Sequence, residues 1–123
     1  MIKDRLLLCT PFNEVIALSP DTGKELWRYD PKLAEDIRPA NQFVCRGVSY
    51  WQAQKPAANK ACQQRVFMGT NDARVIALDF NTGKPCADFG DNGVVWHKPK
   101  KQLLWPGEYQ ITSPPAIVGD VVV

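Results

Sequence analysis

Residues 5–24 read RLLLCTPFNEVIALSPDTGK, and residues 65–84 read RVFMGTNDARVIALDFNTGK. Shifted by sixty positions, Arg5 falls on Arg65, Thr10 on Thr70, Val15-Ile16-Ala17-Leu18 on Val75-Ile76-Ala77-Leu78, and Thr22-Gly23-Lys24 on Thr82-Gly83-Lys84. A gap-free match of this length is an internal repeat, and a repeat constrains the fold before any single element does. Each copy has a short apolar strand, a polar connection (Pro11 to Glu14; Asn71 to Arg74), a second apolar strand and an Asp/Asn-Thr-Gly turn. Gly23 and Gly83 can take the positive φ that a tight hairpin needs.

These strands are apolar on both faces, so each sheet needs cover on both sides. Small antiparallel sheets stacked face to face around an axis meet that need, which is the β-propeller solution. The predicted fold is therefore all-β, built from four-stranded antiparallel blades. The end of one blade is expected at 4–30, a second blade at 43–97 and the start of a third at 110–123, where Val118-Gly119-Asp120-Val121-Val122-Val123 resembles Ile2 to Leu7. Two blades do not close a propeller of four to eight. The expectation is a partial propeller from a longer polypeptide, prone to self-association through uncovered blade edges.

Along the chain, strands are expected at Arg5–Thr10, at Val15–Leu18, from Lys24 to Tyr29, across Phe43–Trp51, through residues 65–89, briefly from Val94 to Lys101, and across Gln110–Val118. Lys32 to Ile37 is expected to form one helical turn between Pro31 and Pro39.

Composition narrows the functional classes. The net charge is +2, and the basic cluster Lys98, Lys100, Lys101 is broken by Pro99 and lacks interleaved aromatics, which argues for a solvated loop and against nucleic acid. No apolar run approaches the ~18 residues of a membrane span. Leu6-Leu7-Leu8-Cys9 is too short, and Leu8 too bulky, for a lipoprotein cleavage site. Four cysteines (Cys9, Cys45, Cys62, Cys86) contain no CxxC pair and His97 is the only histidine, so zinc is not expected. An even count permits disulfides in an oxidising compartment, with buried free thiols as the alternative. Blade topology favours Cys9–Cys45 at one rim and Cys62–Cys86 at the other.

Two polar groups stand out by position. Arg46 and Thr112-Ser113 begin the inner strands of successive blades and should meet at one rim, facing the axis. A guanidinium there offers a planar fork suited to a carboxylate. A structural salt bridge for Arg46, and strand capping before two prolines for Thr112-Ser113, are the alternative roles.

The repeated ALxxxTGK turn, Cys45-Arg46-Gly47-Val48-Ser49-Tyr50 and Ile111-Thr112-Ser113-Pro114-Pro115 together resemble the quinoprotein dehydrogenases, within them the membrane-bound glucose/quinate/shikimate-type group. The resemblance implies an eight-bladed propeller that binds pyrroloquinoline quinone (PQQ) near its axis with Ca2+ or Mg2+. It further implies oxidation of a sugar, polyol or cyclic alcohol at the periplasmic face of the inner membrane, with electrons passed to ubiquinone. Arg46 then matches the arginine that holds a cofactor oxygen and Thr112 the threonine that hydrogen-bonds it, with Ser113 assisting. Trp51 stands where glucose-oxidising members carry histidine, near cofactor and substrate, which moves the implied substrate towards quinate, shikimate or another polyol; interblade packing is its alternative role. The metal ligands and the general-base aspartate of that family have no match in these residues, so the chain alone is expected not to turn over. A non-catalytic scaffold of the outer-membrane assembly type, and a small β-domain that binds peptides through its edges, are the rival readings.

Overall fold

The computed structural model describes residues 1–100 and 102–123, and among them there is no helix. Strands β1 (Leu6–Cys9), β2 (Val15–Leu18) and β3 (Glu25–Tyr29) form one antiparallel sheet in chain order. Strands β4 (Ser49–Gln52), β5 (Gln64–Gly69), β6 (Arg74–Asp79) and β7 (Val94–Trp96) form a second. Strands β8 (Ile117–Val118) and β9 (Val121–Val122) make a terminal hairpin.

The sequence repeat is reproduced bond for bond. Asn13 N–H donates to the Thr10 carbonyl at 2.9 Å, and Ala73 N–H to the Thr70 carbonyl at 3.1 Å. Each threonine hydroxyl also accepts the backbone N–H four residues on, from Glu14 at 3.2 Å and from Arg74 at 2.9 Å. That double use explains why threonine recurs at the position. At the other end, Gly23 and Gly83 both have φ +71° and close the same turn, donating to Ser19 and Asp79 carbonyls at 2.8 Å. Only glycine adopts that backbone cheaply.

The core lies between the two large sheets. Val15, Ala17 and Trp27 of the first pack against Val66, Met68, Ile76, Leu78 and Phe80 of the second. Residues of opposite parity, Phe67 and Ala77, turn to the far face and meet Ile117 and Val122 of the β8–β9 hairpin. The second sheet is thus covered on both sides, as its unbroken apolar runs require.

A latch fixes the first sheet on the second. Trp27 is buried, its indole N–H donates to the Phe80 carbonyl at 2.9 Å, and its ring lies over Gly83. A Cβ at Gly83 would stand 2.5 Å from Trp27 Cε3. Arg5 adds a second tie, donating to the Phe80 and Asn81 carbonyls at 3.3 and 3.1 Å.

Five expected elements differ. The Phe43–Trp51 strand begins only at Ser49. Its first half instead bonds across to the following unit, with Arg46 N–H on the Thr112 carbonyl at 3.1 Å. Residues 84–89 do not repeat β3. Pro85 lacks an N–H, Cys86 is tied to Cys62, and after Cys86 N–H meets Ala77 O at 2.8 Å the chain leaves the sheet. It returns through the Asp91-Asn92-Gly93 turn as β7, which pairs with Arg74, Val75 and Ile76. The expected Val94–Lys101 strand accordingly stops at Trp96, and Lys101 lies outside the described residues. The Gln110–Val118 strand shrinks to Ile117–Val118, because Pro114 and Pro115 interrupt its hydrogen bonding. Lys32 to Ile37 forms a single turn, Ile37 N–H to Ala34 O at 3.2 Å, rather than helix.

Trp27→Ala is expected to lower the unfolding free energy by about 3–5 kcal/mol. Gly83→Ala should cost about 1–3 kcal/mol through backbone strain alone. In urea titrations the double variant should lose less than the sum, since both substitutions break one contact.

Candidate functional site

Strand direction decides which residues share a rim. β1, β3, β5 and β7 run towards one end of the stack, and β2, β4 and β6 away from it. The 10–14 and 70–73 turns, the long 30–48 connection and the 97–116 connection all lie at that end. The Thr-Gly-Lys turns and the 53–63 loop lie at the other. Long connections therefore collect on one rim, where they pack on each other: Arg38 N–H donates to Pro106 O at 2.9 Å and Trp105 Nε1 to Arg38 O at 2.9 Å.

Arg46 and Thr112 meet on this rim. Besides the backbone bond, Arg46 Nη1 donates to Thr112 Oγ1 at 3.2 Å. The guanidinium is exposed, and among the described residues no carboxylate lies within ion-pair distance of it. Neighbouring rim charges are satisfied differently. Arg28 pairs with Glu14 and Glu25 at 3.2 and 2.9 Å, and Arg74 with Asp72 at 2.7 Å. Lys32, hydrogen-bonded to Asp30 at 2.8 Å, holds that carboxyl below its usual range. Burial pushes the Tyr29 phenol up. The salt-bridge alternative for Arg46 thus has no partner among the described residues.

The same rim carries a buried amide network. Asn71 and Asn13 are fully buried. Asn71 Nδ2 donates to Pro11 O at 2.9 Å and to Asn13 Oδ1 at 2.8 Å, and Asn71 N–H also reaches Asn13 Oδ1 at 2.8 Å. Asn71 Oδ1 accepts from Gln110 Nε2 at 2.8 Å and from Val44 N–H at 3.5 Å. One side chain thereby joins all three units on this rim. Sequence reasoning missed it, although the departure of Asn71 from its repeat partner Pro11 was a visible signal.

Ser113 is exposed, and it lines a cleft of about 900 Å3 between the second sheet and the third unit. Trp51 lines the same cleft, its indole N–H donating to Asp120 Oδ1 at 3.0 Å with the Arg65 guanidinium 5.3 Å from its ring centre. Ser49 Oγ donates to the Pro115 carbonyl close by. The structure thus brings Arg46 to Thr112 and sets Trp51 against the β8–β9 turn. Cys9 bonds to Cys45 on the site's rim, and Cys62 to Cys86 on the opposite one. Among the described residues no group of three or more His, Cys, Asp or Glu could hold a metal ion, and no helix is long and apolar enough to cross a membrane.

The family model described as PQQ, glucose/ethanol/alcohol dehydrogenase, β-propeller domain, matches residues 1–123. The chain is 38% identical over 133 residues to quinoprotein glucose dehydrogenase A of Acinetobacter calcoaceticus, covering 99% of this chain and 16% of that protein. It is 33% identical over 138 residues to the quinate/shikimate dehydrogenase (quinone) of Acinetobacter baylyi, covering 99% and 17%. The chain therefore spans about a sixth of the length of the curated relatives it matches. Among solved structures, the quinohemoprotein alcohol dehydrogenase of Comamonas testosteroni superposes with a TM-score of 0.71 at 25% identity, covering 99% of this chain and 15% of that one. BamB of Moraxella catarrhalis, at TM-score 0.53 and 23% identity over 97% of this chain and 30% of that one, shares the fold.

Replacing Asn71 by Ala leaves the Pro11 carbonyl and the Val44 N–H without their side-chain partner. It also removes one of two bonds each from Asn13 Oδ1 and the Gln110 amide, which keep the Asn71 backbone N–H and the Gln42 carbonyl. A loss of about 2–3 kcal/mol is expected in equilibrium unfolding.

Proposed function

This chain belongs to the β-propeller family of PQQ-type glucose, ethanol and alcohol dehydrogenases, and from that premise we propose that it forms the part of a longer quinoprotein dehydrogenase that presents Arg46 and Thr112 to PQQ. The observation that carries the reading is the exposed guanidinium, bonded to Thr112 and facing no carboxylate among the described residues, where two successive units meet. PQQ bears three carboxylates, and the donor set suits them. With Nη1 engaged by Thr112, the remaining N–H groups of the fork can hold a carboxylate or quinone oxygen. Thr112 Oγ1 accepts from Arg46 and so keeps its own proton to donate. Ser113 adds a second hydroxyl beside it. In this reading Trp51, which β4 carries from the Arg46 rim towards the 53–63 loop, contributes only its aromatic face, since its N–H is already taken by Asp120.

In this reading the three sheets are the end of one blade (4–30), a second blade (43–97) and the start of a third (110–123). The bound quinone, with Ca2+ or Mg2+, supplies the oxidising power for an alcohol carbon. The chain's own residues bind and orient it, while the metal ligands and general base belong to other parts of the polypeptide, so the chain alone does not turn over. The substrate class is a sugar, polyol or cyclic alcohol such as glucose or quinate. Ubiquinone receives the electrons at the periplasmic face of the inner membrane. Taken alone, the chain self-associates through exposed apolar residues such as Trp96, Val118 and Val121. A scaffold reading rests on shared fold only.

Arg46→Ala in the full-length protein should weaken PQQ binding by about 1.5–3 kcal/mol, read by fluorescence titration. Unchanged affinity would remove Arg46 from the site. Failure of the reconstituted protein to reduce dye with glucose, quinate or glycerol would count against the enzyme assignment itself.

A further inference from the structure

Arg46 sits in a stretch that secondary structure does not hold. Residues 43–48 precede β4 and belong to no strand. Gly47, immediately after Arg46, has φ +143°, a conformation in which the backbone of other residues is strained. The backbone attachments of the stretch are few: Val44 N–H to Asn71 Oδ1 at 3.5 Å and Arg46 N–H to Thr112 O at 3.1 Å. The side chain is exposed, so packing does not fix its rotamer either.

One strong tie remains. Cys45, the residue before Arg46, is bonded to Cys9, with 5.9 Å between their Cα atoms. Cys9 is the last residue of β1 and pairs in register with the fully buried Val15 of β2. The bond therefore carries the rigidity of the first sheet to the residue adjoining the guanidinium. Arg46 itself bonds to Thr112 of the third unit, so the site is anchored from three units at once. The other cross-link, Cys62–Cys86, closes part of the second sheet on the opposite rim and is remote from Arg46 in topology. Its sequence separation of 24 is of the same order as the 36 of Cys9–Cys45, so the two bonds restrict the unfolded chain comparably.

We propose that the Cys9–Cys45 disulfide is a positioning element for Arg46, so that affinity for a polycarboxylate ligand on this rim depends on that bond and not on Cys62–Cys86. The inference rests on the reading that Arg46 binds PQQ, and it adds the device that aims the arginine.

The test uses the full-length protein, with PQQ itself as probe, and reads equilibrium affinity by fluorescence titration and stability by thermal melting of the cofactor-free protein. Cys9→Ser/Cys45→Ser is expected to weaken PQQ binding by about tenfold, the loss of a well-aimed charged hydrogen bond. Cys62→Ser/Cys86→Ser should lower the melting temperature to a similar degree and leave affinity unchanged. On an Arg46→Ala background, removing Cys9–Cys45 should produce no further loss of affinity. Cys9→Ala/Cys45→Val, which fills the space with apolar groups, is the second variant and should reproduce the tenfold loss. Equal effects of the two disulfides on affinity would overturn the proposal, as would a loss that persists undiminished without Arg46. Failure of both Cys9/Cys45 variants to fold would overturn it too, since the bond would then hold the fold and not the guanidinium. If Arg46→Ala alone leaves affinity unchanged, it is the cofactor reading that fails. If Arg46→Ala weakens binding and the cysteine variants do not, only the positioning role fails.

Discussion

The second sheet is apolar on both faces, and most of the architecture follows from the need to keep both faces dry. Val66 and Met68 point one way along β5 while Phe67 points the other, and on β6 Ile76 and Leu78 oppose Ala77. A strand of that composition is stable only between two other layers. The first sheet supplies one layer and the β8–β9 hairpin begins the other. The stack, once formed, puts successive inner segments side by side and brings Arg46 next to Thr112.

The two copies of the repeat are fastened to their neighbours by different means. The first uses an aromatic latch, Trp27 over Gly83, which needs a glycine on the facing turn. The second has Ala87 at the corresponding position and uses polar ties instead: Trp51 to Asp120, Ser49 to Pro115 and Arg46 to Thr112. Apolar latches lie deep and mainly stabilise. Polar ties near a rim leave hydrogen-bonding capacity that a ligand can use, and that difference separates the structural interface from the candidate site.

The rim acquires its character from segments that form no sheet. Prolines and glycines in the 30–48 and 97–116 connections prevent regular pairing, so backbone groups there bond to one another and to buried amides. Asn71 carries much of this, binding both preceding and following units. Irregular backbone of this kind is where function commonly resides, provided that a rigid scaffold positions it. Here the scaffold is the stacked sheets, joined to the rim by a disulfide and an amide network.

The sixty-residue repeat established the sheets, their antiparallel order and the stacked arrangement, because short unbroken apolar runs and Thr-Gly-Lys turns are local properties of the chain. It also placed Arg46 and Thr112 on one rim, since strand direction alternates whatever the details. Three things were settled only in three dimensions. Phe43 to Val48 has strand-like composition, yet its hydrogen bonds go to Asn71 and the Thr112 segment, partners 27 and more residues away. Residues 84–89 mirror β3 in sequence position, but Pro85 and the Cys62–Cys86 bond divert the chain and hand its place to β7. The absence of a carboxylate beside Arg46 among the described residues likewise depends on where every other charge comes to rest. Local chemistry fixes which elements form; which distant group satisfies each exposed donor is a property of the assembled packing alone.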